Sequence, residues 1–310
     1  MPTHTVFITG GAGFIGSWVA DCALRRGLDV VVYDNLAVGR LANLEPFRDR
    51  IRFFQADVLD DTTLRAALAE TKPATVFHLA AHHFIPFCNA HPLETLRVNV
   101  DGTYAVLKAA AAHGVGTAVV ASSGVIYASC PEPLHEDAPP KLADVYGLSK
   151  YLAEEVARFF AGTTSMRCRV ARLFNTYGPR ETNPHLIPHI MTALHAGSCV
   201  PLGNVHTKRD YVYVEDVATL LLDYGCAPGD SFAIVNIGTG REYSAAEIVD
   251  EIQGLTHAGI AIRIEPGRVR ADDKPHQIAG TTRLQAWTGR VPAHGLREGL
   301  TALLRHEGLL

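Results

Sequence analysis

The strongest constraint on this chain lies near its start. Thr5-Val6-Phe7-Ile8-Thr9 is a short apolar, β-branched run ending in Gly10-Gly11-Ala12-Gly13-Phe14-Ile15-Gly16, and a helical pattern follows to about Arg26, with Gly27 as its stop. Strand, glycine turn and helix in that order make a phosphate-binding turn. Gly10 can make the tight turn, Gly13 lets the backbone approach a pyrophosphate, and Gly16 lets helix and strand pack closely. The helix N-terminus turns unpaired N–H groups and the positive end of its dipole toward the anion. A second strand over 29–33 runs into Asp34, 18 positions beyond Gly16. A carboxylate there accepts hydrogen bonds from the adenine ribose and repels a 2′-phosphate, which argues for NAD over NADP.

The alternation continues. A strand over 51–55 precedes Asp57-Val58 and a helix over 61–70; a strand over 75–79 precedes Ala80-Ala81 and one long helix ending near His113-Gly114. A strand over 117–121 delivers Ser122-Ser123, a helix carrying Tyr146 closes at Gly162, and a strand over 168–173 completes six repeats. This pattern predicts an α/β fold, a doubly wound parallel sheet covered on both faces, with ligands outside the carboxyl ends of the strands. The polar residues collect at those ends.

After Leu173 the texture changes. Helices are expected over 186–196 and 216–224, a loop over 201–209, a strand over 233–237, a Ser244-capped helix to about Gly254 and a last helix after Gly295. The expected division assigns residues 1–174 with 205–240 to dinucleotide binding, and 175–204 with 241–310 to a smaller, irregular substrate-binding domain. Arg180, Lys208, Arg209, Arg268 and Arg270 sit in loops of the second half, which suggests an anionic substrate such as a phosphate ester or diphosphate.

Tyr146 and Lys150 stand four residues apart and project from one face of their helix. An ammonium beside a phenol favours the phenolate, so the pair can serve as an acid/base at neutral pH. Beside a nicotinamide, Tyr146 would take a proton from a substrate hydroxyl as hydride leaves the same carbon. Lys150 would support the phenolate and hold the nicotinamide ribose, and Ser123 would orient the reacting oxygen.

With 47% hydrophobic and 19% charged residues and a net charge of −4, the chain reads as an ordered globular protein without the basic surface that nucleic acid requires. No apolar run is long enough to span a membrane and no secretory leader is recognisable, so a cytoplasmic location is expected. The six scattered cysteines include no C-x-x-C pair, and the histidines (His82-His83 with His91, His185 with His189) have no recognised ligand spacing, so neither a disulfide framework nor a metal is expected.

Over essentially its whole length the chain resembles the extended short-chain dehydrogenases/reductases, specifically the NAD-dependent nucleotide-sugar epimerase/dehydratase family (UDP-glucose 4-epimerase-like). The matching residues are Thr9 to Gly16, Asp34-Asn35-Leu36, Asp57-Val58, His78 to Ala81, Asn99 to Thr103, Ser122-Ser123 with Tyr127, Tyr146/Lys150, Asn175 to Pro179, Arg209 to Asp216 and Asn236 to Gly240. The resemblance implies a Rossmann-type fold. It places Gly10, Gly13, Phe14, Ile15, Gly16, Asp34, Asn35, Asp57, Val58, Leu79, Ala80, Ala81 and Asn99, with Tyr146 and Lys150, at the cofactor. It places His83, Ser123, Gly124, Val125, Asn175, Leu186, Arg209 and Arg270 at the substrate, with Arg268 as the other candidate for the second phosphate-binding arginine.

Dehydratases of this family usually carry a carboxylate between the positions of Ser123 and Tyr127, and 3,5-epimerases a cysteine; here stand Gly124, Val125 and Ile126. That departure implies a 4-epimerase acting on a UDP-linked sugar of the glucose/galactose type, with NAD retained. Glu181-Thr182 follow Arg180 where some glucuronate-specific epimerases have a second basic residue, a departure that argues against a carboxylated sugar. Competing readings are a dehydratase, reductase or other epimerase using His82 or His83 as acid, and a non-catalytic NAD-sensing module. The family commonly forms homodimers through helices near 95–113 and 150–160.

Overall fold

The computed structural model describes residues 4–181, 183–197, 199–269 and 273–310. The apolar run at the start of the chain is buried on both faces. In β1 (Thr5–Thr9) Val6 and Ile8 enter one core and Phe7 another; after α1 (Phe14–Arg25), β2 (Asp29–Asp34) divides Val30 and Val32 from Val31 and Tyr33 in the same way. A sheet covered on both sides requires this division. The chain continues through β3 (Ile51–Gln55), α2 (Asp61–Thr71), β4 (Thr75–His78), α3 (Ile85–Ala90), α4 (Pro92–Leu96), α5 (Gly102–Ala112), β5 (Thr117–Ser123), α6 (Val145–Thr163) and β6 (Arg167–Leu173).

The second half contributes β7 (Asn175–Tyr177), α7 (Leu186–His195), β8 (Val200–Leu202), β9 (Lys208–Tyr213), α8 (Val214–Cys226) and β10 (Phe232–Ile237). It ends with β11 (Glu242–Ser244), α9 (Ala245–Thr256), β12 (Ile262–Ile264), α10 (Thr282–Thr288) and α11 (Leu296–His306). Among the described residues seven strands run parallel in the order β10-β6-β5-β4-β1-β2-β3. The chain leaves β1 toward β2 and β3, then returns to β4 on the other side, so a crevice opens between the carboxyl ends of β1 and β4. A third core, with Ile187, Ile190, Ile248, Val249, Leu300 and Leu303, joins α7, α9 and α11 to the small sheet β11-β9-β7.

The doubly wound fold matches the expectation, and three local readings are corrected. The long helix expected before His113 is broken into α3, α4, a π-turn over Arg97–Asp101, and α5. Pro92 causes the first break, since it lacks an N–H and disfavours helix at the residue before it: His91 leaves the helical region with φ −126° and ψ 62°, whereas Pro86 sits in the first turn of α3, where no N–H is needed. The segment expected as a loop over 201–209 holds most of β8 and the start of β9, whose partners β12, β7 and β11 are distant in sequence. That pairing puts β9 in the small sheet. Gly162 lies inside α6, which ends at Thr163, with the Thr164 N–H closing on the Phe160 carbonyl. Helix α10 had no distinct signal.

Candidate active site

At the crevice the glycine turn is built as its sequence requires. Gly10 takes φ 69°, and a Cβ there would sit 2.7 Å from the Ala80 nitrogen; a Cβ on Gly16 would overlap the Gly10 carbonyl oxygen. Gly13 is the N-cap of α1, whose first residues line the cleft, and no side chain caps the helix. Asp34, 6% exposed, accepts hydrogen bonds from the Ala12 and Leu36 N–H groups at 2.9 and 2.8 Å. Burial raises its pKa, against the lowering effect of those two N–H donors. Asn35 donates to the Asp57 carboxylate at 2.7 Å.

These residues border one cleft of about 1070 Å³ that continues past β4 and β5 to the small sheet. Gly10, Gly13, Phe14, Ile15 and Gly16 line it, as do Asp34, Asn35, Asp57 and Val58, then Leu79, Ala80 and Ala81. Ser123, Gly124 and Val125 follow, with Tyr146 and Lys150, and beyond them His83, Asn175, Leu186 and Arg209. Asn99 stands behind this wall. Its amide pairs with both peptide groups of His82, N–H and C=O, at 2.8 Å each, and donates to the Ser149 hydroxyl at 2.9 Å. Arg270 lies outside the described residues.

Tyr146 and Lys150 are set by the start of α6, where the Asp144 side chain caps the helix by accepting from the Gly147 N–H at 2.7 Å. The Tyr146 phenol shares a hydrogen bond with Ser123, and the Lys150 ammonium lies 5.9 Å from the phenol ring centre while donating to the Ala121 carbonyl at 2.9 Å. The expected depression of the tyrosine does not hold. Burial pushes the phenol up, outweighing the Ser123 bond, and pushes Lys150 down to about 8. Desolvation disfavours both charged forms at once.

Of the loop cations, Arg209 and Arg268 line the cleft. Arg209 donates to Asp273 and to the Lys208 and Lys274 carbonyls. Arg180 instead stacks over Trp18 at 4.7 Å and donates to the Ser17 carbonyl, and Lys208 pairs with Glu247, so neither belongs to the cleft wall.

Two sets of residues escaped the sequence reading. Behind Ser123, Glu154 accepts from Ser122 at 2.5 Å and from Arg172 at 2.7 and 2.9 Å; Arg172 also donates to the Tyr127 hydroxyl and the Glu136 carbonyl, and Tyr127 donates to Asn236 at 2.8 Å. Glu154 falls one turn after Lys150, and Arg172 interrupts an apolar strand; those were the available signals. In front, Lys274 donates to the Val125 and Tyr127 carbonyls at 2.6 and 2.5 Å, and Gln277 to the Gly124 carbonyl at 2.6 Å. Both clamp the turn that follows Ser123.

A glycine turn at the switch point of a parallel sheet, joined by one cleft to a Ser/Tyr/Lys cluster, defines a nicotinamide-dependent enzyme site. Residues 6–238 match the model of the NAD dependent epimerase/dehydratase family, and the chain belongs to that family. It is 33% identical over 302 residues to UDP-glucose 4-epimerase of Mycolicibacterium smegmatis, covering 94% of this chain and 95% of that one. Among solved structures, the UDP-glucose 4-epimerase of Thermus thermophilus in complex with NAD superposes with a TM-score of 0.90 at 30% identity, covering 98% and 99% of the two chains. GDP-6-deoxy-D-mannose reductase of Pseudomonas aeruginosa is also similar, 28% identical over 97% of this chain and 96% of that one. The chain is therefore an NAD-dependent enzyme of the epimerase type. The side-chain-free cradle at Gly10 and Gly16 and the buried carboxylate of Asp34 at the edge of the cleft fit that cofactor.

Proposed function

We propose that this enzyme interconverts the 4-epimers of a UDP-linked hexose of the glucose/galactose type. The observation that carries the reading is the meeting of Ser123, Tyr146 and Lys150 beside a turn, Gly124–Ile126, that bears no ionisable side chain. Chemistry at a second carbon needs a further acid or base, and this turn supplies none.

Ser123 and Tyr146 hold the reacting sugar hydroxyl. Bound NAD supplies the hydride acceptor, a positive charge that favours the phenolate, and later the hydride donor. Tyr146 takes the hydroxyl proton as hydride leaves the carbon bearing it. Once the keto sugar presents its other face, Tyr146 would give the proton back to the oxygen on the same carbon. Lys150, tied to the Ala121 carbonyl, keeps its charge behind the phenol ring and holds the nicotinamide ribose. In this reading Gly10 to Gly16 hold the pyrophosphate, Asp34 and Asn35 the adenine ribose, and Asp57 and Val58 the adenine. Leu79, Ala80 and Ala81 back the cofactor, and Asn99 fixes the His82 peptide beside them. His83, Gly124 and Val125 face the sugar, and Asn175, Leu186 and Arg209, with Arg270, hold the diphosphate.

The reading predicts that UDP-glucose and UDP-galactose reach the same mixture from either side, with no net change in NADH absorbance. Inertness toward every UDP-sugar overturns it. Accumulation of a keto sugar or stoichiometric NADH turnover would favour a dehydratase or reductase instead. That alternative has less support, because His83 is held by Asn183 with its pKa pushed down to about 4 by burial, and His82 is paired with Glu94.

We also infer a homodimer through α5 and α6, where Tyr104 (47% exposed) and Phe159 (56%) join Leu148 and Leu152 in an apolar stripe. Light scattering of the wild type and Phe159→Glu tests it; equal masses overturn it. Six free thiols suit a cytoplasmic setting, and no helix among the described residues is long and apolar enough to cross a membrane.

A further inference from the structure

One carboxylate of the cleft has no part in the steps above. Glu181 lies on the loop between β7 and α7, its side chain only 4% exposed. Its Oε1 is hydrogen-bonded to His185 Nδ1, while its Oε2 is buried and has no hydrogen-bond partner among the described residues. The same loop brings Asn183 to 2.7 Å from His83 Nε2, and the His185 ring packs 6.0 Å from Phe84 and 6.3 Å from His83. Glu181, Asn183, His185, His83 and Phe84 all line the cleft. They form a wall running from the end of β4, where His83 is near enough to Lys150 to feel its charge. This wall therefore adjoins the reaction centre rather than the adenosine end.

A buried carboxylate oxygen without a donor costs free energy that a ligand donor recovers. A second anion beside Oε2 would be repelled. A sugar hydroxyl, which is neutral and short, meets both conditions.

We infer that Glu181 is a sugar-recognition residue, its Oε2 accepting a hydrogen bond from one hydroxyl of an uncharged hexose while His185 holds the other oxygen. This rests on the nucleotide-sugar reading and adds a specificity residue to it. The test is calorimetric titration of the NAD-loaded protein with UDP, UDP-glucose and a set of UDP-hexoses each lacking one hydroxyl. Wild type, Glu181→Ala and the near-isosteric Glu181→Gln are compared, with melting curves to verify folding.

UDP should bind all three within about twofold. UDP-glucose should bind Glu181→Ala about tenfold to hundredfold more weakly, the range for a hydrogen bond to a charged group, and Glu181→Gln by a smaller factor. One deoxy analogue should show the same loss in wild type and no further loss in Glu181→Ala. Equal weakening of UDP and UDP-glucose, or a deoxy series in which no analogue is coupled to Glu181, overturns the inference alone. Wild-type protein that binds UDP but no UDP-hexose overturns the underlying functional reading as well.

Discussion

Arg172→Met tests whether the network behind Ser123 holds the site. Arg172 is 6% and Glu154 1% exposed, and the substitution removes two hydrogen bonds to Glu154, one to the Tyr127 hydroxyl and one to the Glu136 carbonyl. Among the described residues Glu154 then keeps only Ser122 as a hydrogen-bond partner. Leaving a buried charge without its counter-ion costs about 3–5 kcal/mol. At about 2 °C per kcal/mol for a chain of this size, the melting temperature should fall by about 6–10 °C. Replacing both residues, Arg172→Met with Glu154→Met, removes both charges and should recover most of the loss, because buried ion pairs are often matched by apolar residues of similar volume. Catalysis should not recover with stability. Tyr127 anchors the far end of the Gly124–Ile126 turn, and a misplacement of about 1 Å can cost about a hundredfold in rate. Denaturation midpoints and kcat/KM of the NAD-loaded variants form a double-mutant cycle. A single variant within about 1 kcal/mol of wild type, or a double variant no more stable than the single, would refute the reasoning.

Tyr146→Phe should lower kcat by about 10²–10⁴, the usual contribution of a positioned acid/base, while NAD still co-purifies in nucleotide released on denaturation. Gly16→Ala places a Cβ onto the Gly10 carbonyl oxygen, so the same nucleotide assay should find little NAD retained. His78, 3% exposed between Thr9 and Thr103, has its pKa pushed down to about 3 by burial, with the Lys150 charge adding to the effect. The unfolded chain binds this proton first as pH falls below about 6.5, so stability present above that value is lost progressively toward pH 3. Melting temperatures across that range should fall more steeply for wild type than for His78→Gln; parallel curves would contradict the assignment.

What was legible in the sequence is what depends on neighbours along the chain. A strand buried on both faces must be apolar throughout, so β1 and β2 announced themselves; the glycines of 10–16 are demanded by contacts within the turn and with Ala80, and Tyr146 and Lys150 meet because helical spacing makes them meet. What was missed depends on partners far apart. The carboxylate that receives the Asn236 N–H belongs to Glu136, 100 residues earlier, and the ammonium that clamps the Val125 carbonyl belongs to Lys274, 149 residues later. β8 and β12 are three residues each and are strands only because they find each other. The direction of the Tyr146 shift was misjudged for a related reason: spacing reports the distance between charges, whereas burial, which sets the sign of that shift, is a property of the whole fold. The same division separates mechanism from specificity in this cleft. The residues proposed for the redox step were read from local motifs, while Glu181, Lys274 and Gln277 reach the cleft through loops whose partners only the folded chain brings together.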